Sequence, residues 1–335
     1  MALVKSLSVL PNLEDDLSRL EQILIESVIA ENDYLTEIAS HLITAGGKRV
    51  RPGFAIAASG VETAVAESVS RSVLLGGVAV ELVHLGSLYH DDVMDEAKLR
   101  RTVPSVNALW GNLTAILAGD FLLARASEIA ASLGTEVAGL LAKTIGELCE
   151  GQILELQSTY KIDRSLDSYE RSISGKTASL LATACKIGGL TAELSRENID
   201  AISAFGHSYG MAFQIIDDIL DLTATDEELG KPSGNDLIEG VYTLPVISAF
   251  SSEYGDELEA LLGNEISLDE RDRARELIRK SGGVADALSR ARHWTSQAVS
   301  SLECLPESEA TTALNAATEH LISRASSTRF DELHQ

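Results

Sequence analysis

Two long apolar stretches of this chain run into the same acidic pattern. The first, residues 81–101, reads ELVHLGSLYHDDVMDEAKLRR and holds Asp91, Asp92 and Asp95. The second, GMAFQIIDDILDL, holds Asp217, Asp218 and Asp221 in the same i, i+1, i+4 order. A helix turns once per 3.6 residues, so the i and i+4 carboxylates of each set share a face, with side-chain roots roughly 6 Å apart. Two carboxylates at that gap suit one hard cation that takes oxygen ligands. Ionised acids on a mostly buried helix are costly unless they are paired or bind metal. Most acidic clusters are solvated helix faces, and the chain contains such a case for comparison. Glu14, Asp15 and Asp16 are equally dense, but no acid follows either Asp at i+4. That trio reads as the first turn of an amphipathic helix, where negative charge suits the dipole.

Composition narrows the fold to helix. Aromatic residues make up 4% of the chain, proline occurs six times, and alternating Val, Ile and Thr runs are nearly absent. The 335 residues suffice for a sizeable core. A net charge of −24, from 51 acidic and 27 basic residues, argues against a broad surface for nucleic acid or anionic membrane. Cys149, Cys185 and Cys304 are odd in number and widely spaced, which points to a reducing compartment. The longest apolar run, 73–88, is broken by Glu81 and His84 and falls short of the ~20 residues of a membrane span. The N-terminal residues lack the apolar length of a secretory signal, so the expected location is the cytoplasm.

Leu13, Leu17, Leu20 and Leu24 recur at helical spacing and predict a first amphipathic helix to about residue 30. Further helices are predicted over 34–42, stopped by Gly46–Gly47, and over 54–59, 72–95 and 198–222. Between them lie cation clusters. GGKRVRPG places Lys48, Arg49 and Arg51 within four residues, and Lys98, Arg100 and Arg101 follow the first acids directly. Cations at a helix stop complement its dipole, but a cluster bounded by glycines also suits phosphate. Asp120 reads as a core hydrogen-bonding group, and Gln152 as either such a group or a cavity lining. GKTASLL, with Lys176 and Thr177, is not a Walker A loop because the first glycine is missing. TATDEELGKPSGNDLIEG, with Lys231, is the one long polar loop, and loops of that length are often lids. Residues 242–327 read as amphipathic scaffold helices. The whole is expected to be one all-α domain, residues 1–335, a single large helical bundle with the two acidic sets facing a central cavity.

Taken in order, GGKRVRP, ELVHLGSLYHDDVMD, LRRTVPS, LAGDFLL, EGQILEL, GKTASL, FQIIDDILD and GKPSGNDL resemble the trans-isoprenyl (polyprenyl) diphosphate synthases over nearly the whole chain. The resemblance implies an isoprenoid-synthase bundle, usually a homodimer, that condenses an allylic diphosphate with isopentenyl diphosphate. It implies Mg²⁺, three ions per site, held by Asp91, Asp92 and Asp95 and by Asp217, with Asp218 and Asp221 in support. Arg100, Lys176, Thr177, Gln214 and Lys231 match allylic-diphosphate positions. Lys48, Arg51, His84 and Arg101 match isopentenyl diphosphate positions, with a weaker role for Arg49. His84 without the resemblance reads as a core histidine. Diphosphate leaves only when its charge is neutralised, and the allylic cation left behind needs a dry cavity. The chain-length floor of the family falls on Gly86 and Ser87, both small, so a product longer than C20 is expected. No nucleic-acid partner is expected and no transmembrane segment, only transient membrane contact for product release.

Three rivals stay open at this stage. A class I terpene cyclase shares the first acidic set but usually carries a different second metal motif. A metal phosphohydrolase would need further ligand histidines, and His41, His84 and His207 form no pattern. A catalytic subunit that needs an auxiliary partner keeps both acidic sets, as this chain does.

Overall fold

The computed structural model describes residues 7–62, 68–224 and 233–327, and these are helical almost throughout. They group into two compact units. The first comprises Met1–Ile145, Leu180–Gly206 and Leu302–Ala317; the second comprises Gly146–Ser179, His207–Ser301 and Thr318–Gln335.

The first unit opens with α1 (Leu13–Ser27), α2 (Asp33–Thr44), α3 (Val50–Ser59) and α4 (Arg71–Met94). In α1 the acidic trio does occupy the first turn, yet Asp16 turns inward and accepts from Arg19 at 2.8 Å and from the Val69 amide at 3.3 Å. Helix α2 starts where Asn32 Oδ1 accepts the Tyr34 and Leu35 amides, a cap that stabilises by about 1 kcal/mol. It stops just before Gly46, whose φ of +81° is the left-handed geometry that ends helices cheaply in glycine. Helix α4 is apolar on nearly every side, the pattern of a fully buried helix. By length and composition it could cross a bilayer, but 72% of its most apolar window is buried inside the protein.

A hairpin of β1 (Leu99–Arg100) and β2 (Val103–Pro104) follows, then α5 (Val106–Trp110) and α6 (Asn112–Ser132). The hairpin turn, Arg101–Thr102, has φ values of +52° and +67°, the double left-handed turn usually given to Asn-Gly. Helices α4 and α6 pack closely. A Cβ on Gly86 would lie 3.1 Å from the Gly119 carbonyl oxygen and 3.2 Å from Leu123 Cγ, so Gly86 sets the depth of that crossing. Two longer helices contribute to both units: α7 (Thr135–Gln157) and α10 (Arg196–Thr223).

The second unit also holds α8 (Leu166–Ile173) and a π-helical turn, Ser174–Ala178, after which the chain runs on into α9 (Ser179–Thr191), which belongs to the first unit from Leu180 onward. Then come α11 (Asn235–Ile238), α12 (Leu244–Phe250), α13 (Gly255–Leu261), α14 (Leu268–Lys280), α15 (Gly283–Leu302) and α16 (Glu309–Ser327), the last two again shared. Helix α14 begins with a reciprocal Ser267–Glu270 capping box. Its Arg275 and Arg279 donate to Leu222 O at 2.9 and 3.2 Å, and Arg275 to Ala224 O at 3.1 Å. These cations satisfy carbonyls that the end of α10 leaves open, and so anchor the helix that carries the second acidic set.

Candidate active site

Each acidic set sits at the C-terminal end of its helix. Asp91 lies in the last turn of α4 and Asp95 is its C-cap, with the Asp95 amide donating to Asp91 O at 2.8 Å. Asp217, Asp218 and Asp221 lie in the last two turns of α10. The negative end of a helix dipole favours bound cations, so both termini reinforce what the carboxylates attract. Asp92 behaves differently from its neighbours. It is fully buried, and its Oδ1 takes Arg100 Nε at 2.7 Å and Nη2 at 2.5 Å. Burial pushes its carboxyl up, against the pull of Arg100. Asp92 thus holds the hairpin arginine, and the exposed side of the set belongs to Asp91 and Asp95.

The cation residues of the first unit form a nest around one buried acid. Glu81, on α4, is 2% exposed. Arg49 Nη1 donates to its Oε1 at 3.0 Å and Arg101 Nη2 stands 3.8 Å from the same oxygen. Desolvation raises the Glu81 carboxyl, while Arg49, Arg51 and Arg101 pull it down. The remaining donors of Arg49 go to Glu21, at 2.7 and 2.6 Å, and to Ile43 O at 3.2 Å. Arg49 is therefore tied to the scaffold through Glu21, Glu81 and Ile43. Arg101 donates to Leu42 O at 2.9 Å and to Gly46 O. Arg51 is half-buried, and its Nε has no acceptor among the described residues. His84 lies one turn along α4 from Glu81; desolvation first, then Arg51, Arg101, Arg100 and Arg49, lower it well below its ordinary value. Lys48 is exposed. Gly47 is the tight point: a Cβ there would meet Arg49 Nη1 at 2.6 Å and Arg101 Nη1 at 2.7 Å.

In the second unit, Asp218 is buried with both oxygens engaged. Tyr169 donates to Oδ2 at 2.5 Å and Gln214 Nε2 to Oδ1 at 2.8 Å. Gln214 Oε1 accepts in turn from Thr177 Oγ1 at 2.7 Å. Burial pushes the Asp218 carboxyl up to about 7. Lys176 pairs with Glu155 at 2.5 Å, and Arg324, on α16, reaches Asp217 at 3.3 Å. Asp221 Oδ2 accepts the Asp236 amide at 3.3 Å. The π-helical turn widens the helix by one residue at Lys176 and Thr177, the kind of distortion that recurs at functional sites.

Among the remaining sequence expectations, Gly86 faces α6, and Ser87 is half-buried with its hydroxyl donating to His84 O at 2.9 Å. Asp120 is a correction: its side chain is 63% exposed on α6, 3.4 Å from His90 Nε2, and is no core group. Its position in an apolar run misled, because α6 shows much of its apolar surface outward. Gln152 Oε1 is buried without a partner among the described residues. Lys231 lies outside the described residues. Sequence reasoning gave no role to Glu21, Tyr169 or Arg324, whose partners are 28, 49 and 107 positions away.

Residues 32–280 match the family model described as polyprenyl synthetase. The heptaprenyl diphosphate synthase component 2 of Geobacillus stearothermophilus is 40% identical over 299 residues, covering 89% of this chain and 92% of its own. The nonaprenyl diphosphate synthase of Mycobacterium tuberculosis is 37% identical over 310 residues, 92% of each chain. The crystal structure of a polyprenyl synthase from Caulobacter crescentus CB15, complexed with calcium and isoprenyl diphosphate, superposes with a TM-score of 0.87 at 31% identity. That match covers 95% of this chain and 97% of the other. The all-α fold, the two acidic sets and the matches along nine-tenths of the sequence make this chain a member of the polyprenyl synthetase family of prenyltransferases.

Proposed function

We propose that the protein condenses isopentenyl diphosphate with an allylic diphosphate to make a trans-polyprenyl diphosphate longer than C20. The observation that carries this reading lies on one helix. Helix α4 bears His84 and Glu81 within a nest of arginines, and two turns later the paired acids Asp91 and Asp95. A cationic nest and a cation-seeking pair on one element suit a diphosphate-bearing substrate pair better than either would alone. Arg51, with a buried unpaired Nε, has donor capacity left for an anion.

Asp91, Asp95 and Asp217, with Asp92, Asp218 and Asp221 in support, would hold divalent cations. The donors are all carboxylate oxygens, which fits Mg²⁺, three ions per site, and equally fits the calcium in the Caulobacter structure. Such ions, when bound, neutralise charge on the departing diphosphate. In this reading Lys48, Arg51, His84 and Arg101 grip isopentenyl diphosphate. Arg100, Lys176, Thr177, Gln214 and Lys231 orient the allylic substrate, and the two compact units serve as one catalytic domain. Buried cations fixed beforehand by Glu81 and by backbone carbonyls lose little freedom on binding, which favours catalysis. The apolar length of α4 and α6 excludes water from a reactive cation. The small Ser87, and relatives named for heptaprenyl and nonaprenyl products, support the longer chain.

A homodimer is part of the proposal. Helix α6 exposes Leu113 (80%), Leu117 and Ile116 together, with Leu109 on α5 beside them, an apolar face that water does not favour. One relative is named as a component 2, so a catalytic subunit with a non-identical partner is the second reading. The purified chain is assayed with radiolabelled isopentenyl diphosphate, C10, C15 and C20 primers and Mg²⁺, with products sized after dephosphorylation. Incorporation that stops on chelation and yields alcohols above C20 supports the reading. Release of phosphate without incorporation, or a cyclised product, refutes it. Activity only after a second protein is added favours the two-component reading.

A further inference from the structure

Asp218 is buried and adjoins Asp217, yet both of its oxygens face protein donors. A buried carboxylate that serves stability alone is often no better than an apolar residue of its size. Its partners here are specific in direction. Both Asp218 oxygens accept, from Tyr169 Oη and from the Gln214 amide nitrogen, so Gln214 is held with its nitrogen inward. The amide oxygen then faces Thr177, whose hydroxyl must donate to it. One short chain of hydrogen bonds thus runs from Tyr169 through Asp218 and Gln214 to Thr177.

The backbone around this chain has little room to adjust. A Cβ on Gly151 would meet Lys176 N at 2.4 Å, and one on Gly175 would meet Glu147 O at 2.5 Å. Helix α7 and the π-helical turn are therefore locked backbone to backbone, and Ser172 adds a bond to Gly151 O at 2.9 Å. What can still move is the side-chain network. The Tyr169 ring is held in turn: the Arg164 guanidinium lies 5.4 Å from its centroid, and Arg164 Nη1 donates to Tyr242 O at 2.9 Å. Arg164 and Tyr169 are both buried.

We propose that Tyr169 is a positioning residue for the condensation reaction, acting through Asp218 to fix the orientation of Gln214 and Thr177. The inference rests on the functional reading above, which gives Gln214 and Thr177 to the allylic substrate. Without the Tyr169 hydroxyl, one oxygen of Asp218 is left unpaired and the carboxylate can rotate away from Gln214. The amide then loses the partner that sets its direction, and the Thr177 hydroxyl loses its acceptor.

The experiment is a double-mutant cycle with Tyr169→Phe, Gln214→Leu and the double variant, each checked by circular dichroism and melting temperature. Tyr169→Phe is expected to lower kcat by about tenfold to a hundredfold, the scale of a small misplacement at a reacting centre. KM for isopentenyl diphosphate should stay within about twofold. The double variant should be no slower than Gln214→Leu alone, because both act on one unit. A kcat for Tyr169→Phe within about twofold of the wild type, or losses that multiply in the double variant, overturns the proposal. If Tyr169→Phe does not fold, Asp218→Asn serves instead. Its amide nitrogen would face Gln214 and force that side chain to flip, and an unchanged kcat there also overturns the proposal. A wild-type chain inactive with every primer refutes the functional reading itself, whereas an active wild type with an equally active Tyr169→Phe refutes only this inference.

Discussion

Arg49 and Glu81 form a buried ion pair at 3.0 Å that joins α1, the α2–α3 turn and α4, because Arg49 also clasps Glu21 with two further bonds. The pair surrounds its charges with donors and acceptors on nearly every side, which is the condition under which a buried ion pair holds a fold together. Glu81 at the same time is the counter-charge for Arg51 and Arg101. Replacing Glu81 with Ala should leave Arg51 and Arg101 without their buried counter-charge, and Arg49 with Glu21 alone. Breaking a buried pair on one side costs roughly 3–5 kcal/mol, and urea denaturation should show a loss of that size. A loss below about 1 kcal/mol would mean that the nest is solvated and its charges are not coupled.

Gly47 tests the geometry of the same nest without touching a charge. In Gly47→Ala the new methyl would stand 2.6–2.7 Å from the guanidinium tips of Arg49 and Arg101. Arg49 cannot yield easily because of Glu21 and Glu81, so Arg101 should be displaced. One charged hydrogen bond is worth about 1.5–3 kcal/mol, so KM for isopentenyl diphosphate should rise by roughly tenfold to a hundredfold. KM for the allylic substrate should change little, and the melting temperature should fall by only a few degrees. Equal rises in both KM values would place the effect outside the nest.

Of the two residues proposed as a chain-length floor, Ser87 is the informative one to change. Gly86 meets the α6 backbone at 3.1 Å, so a larger residue there damages helix packing before it shortens any product. Ser87 is half-buried, and among the described residues its hydroxyl bonds to His84 O within its own helix. Ser87→Phe should shift the product ladder to shorter alcohols with the protein still folded. An unchanged ladder by chromatography would remove Ser87 from the wall.

His84 predicts a pH dependence. Its folded value lies well below 6.5, because desolvation first, and then the charges of Arg51, Arg101, Arg100 and Arg49, disfavour the protonated ring. The folded protein keeps His84 neutral where the unfolded chain takes up a proton. The stability this contributes is complete above about pH 6.5 and is lost as pH falls from there toward the folded value. His84→Gln should flatten that part of the stability profile below pH 6.5 relative to wild type, and leave it unaltered at pH 8. Parallel profiles from pH 8 to 5 would show that His84 titrates as an ordinary surface histidine.

Arg324 stands 3.3 Å from Asp217, a pair partly open to water on both sides. Such pairs are worth no more than about 1 kcal/mol. If divalent metal competes with Arg324 for Asp217, Arg324→Gln should lower the half-saturating Mg²⁺ concentration by up to about fivefold. A higher Mg²⁺ requirement in the variant would mean that Arg324 assists metal binding.

Much of this protein was written along the chain. Helical period and acid spacing made the ends of α2, α4 and α10 readable to within two residues, because local capping and burial decide them. The acids at i and i+4 were legible for the same reason, since the backbone of one helix fixes their common face. Tertiary structure alone decided which acids stay outward. Asp91 and Asp92 are neighbours in sequence, yet Asp92 is turned under the hairpin to Arg100 and Asp91 is not. Only folding could give Glu81 its three arginines, commit Arg49 to Glu21, bond Tyr169 to Asp218, or expose Asp120. Periodicity reports the face of a helix, which is a local property; the partner that meets that face comes from a distant segment, and its identity depends on the packing of the whole chain.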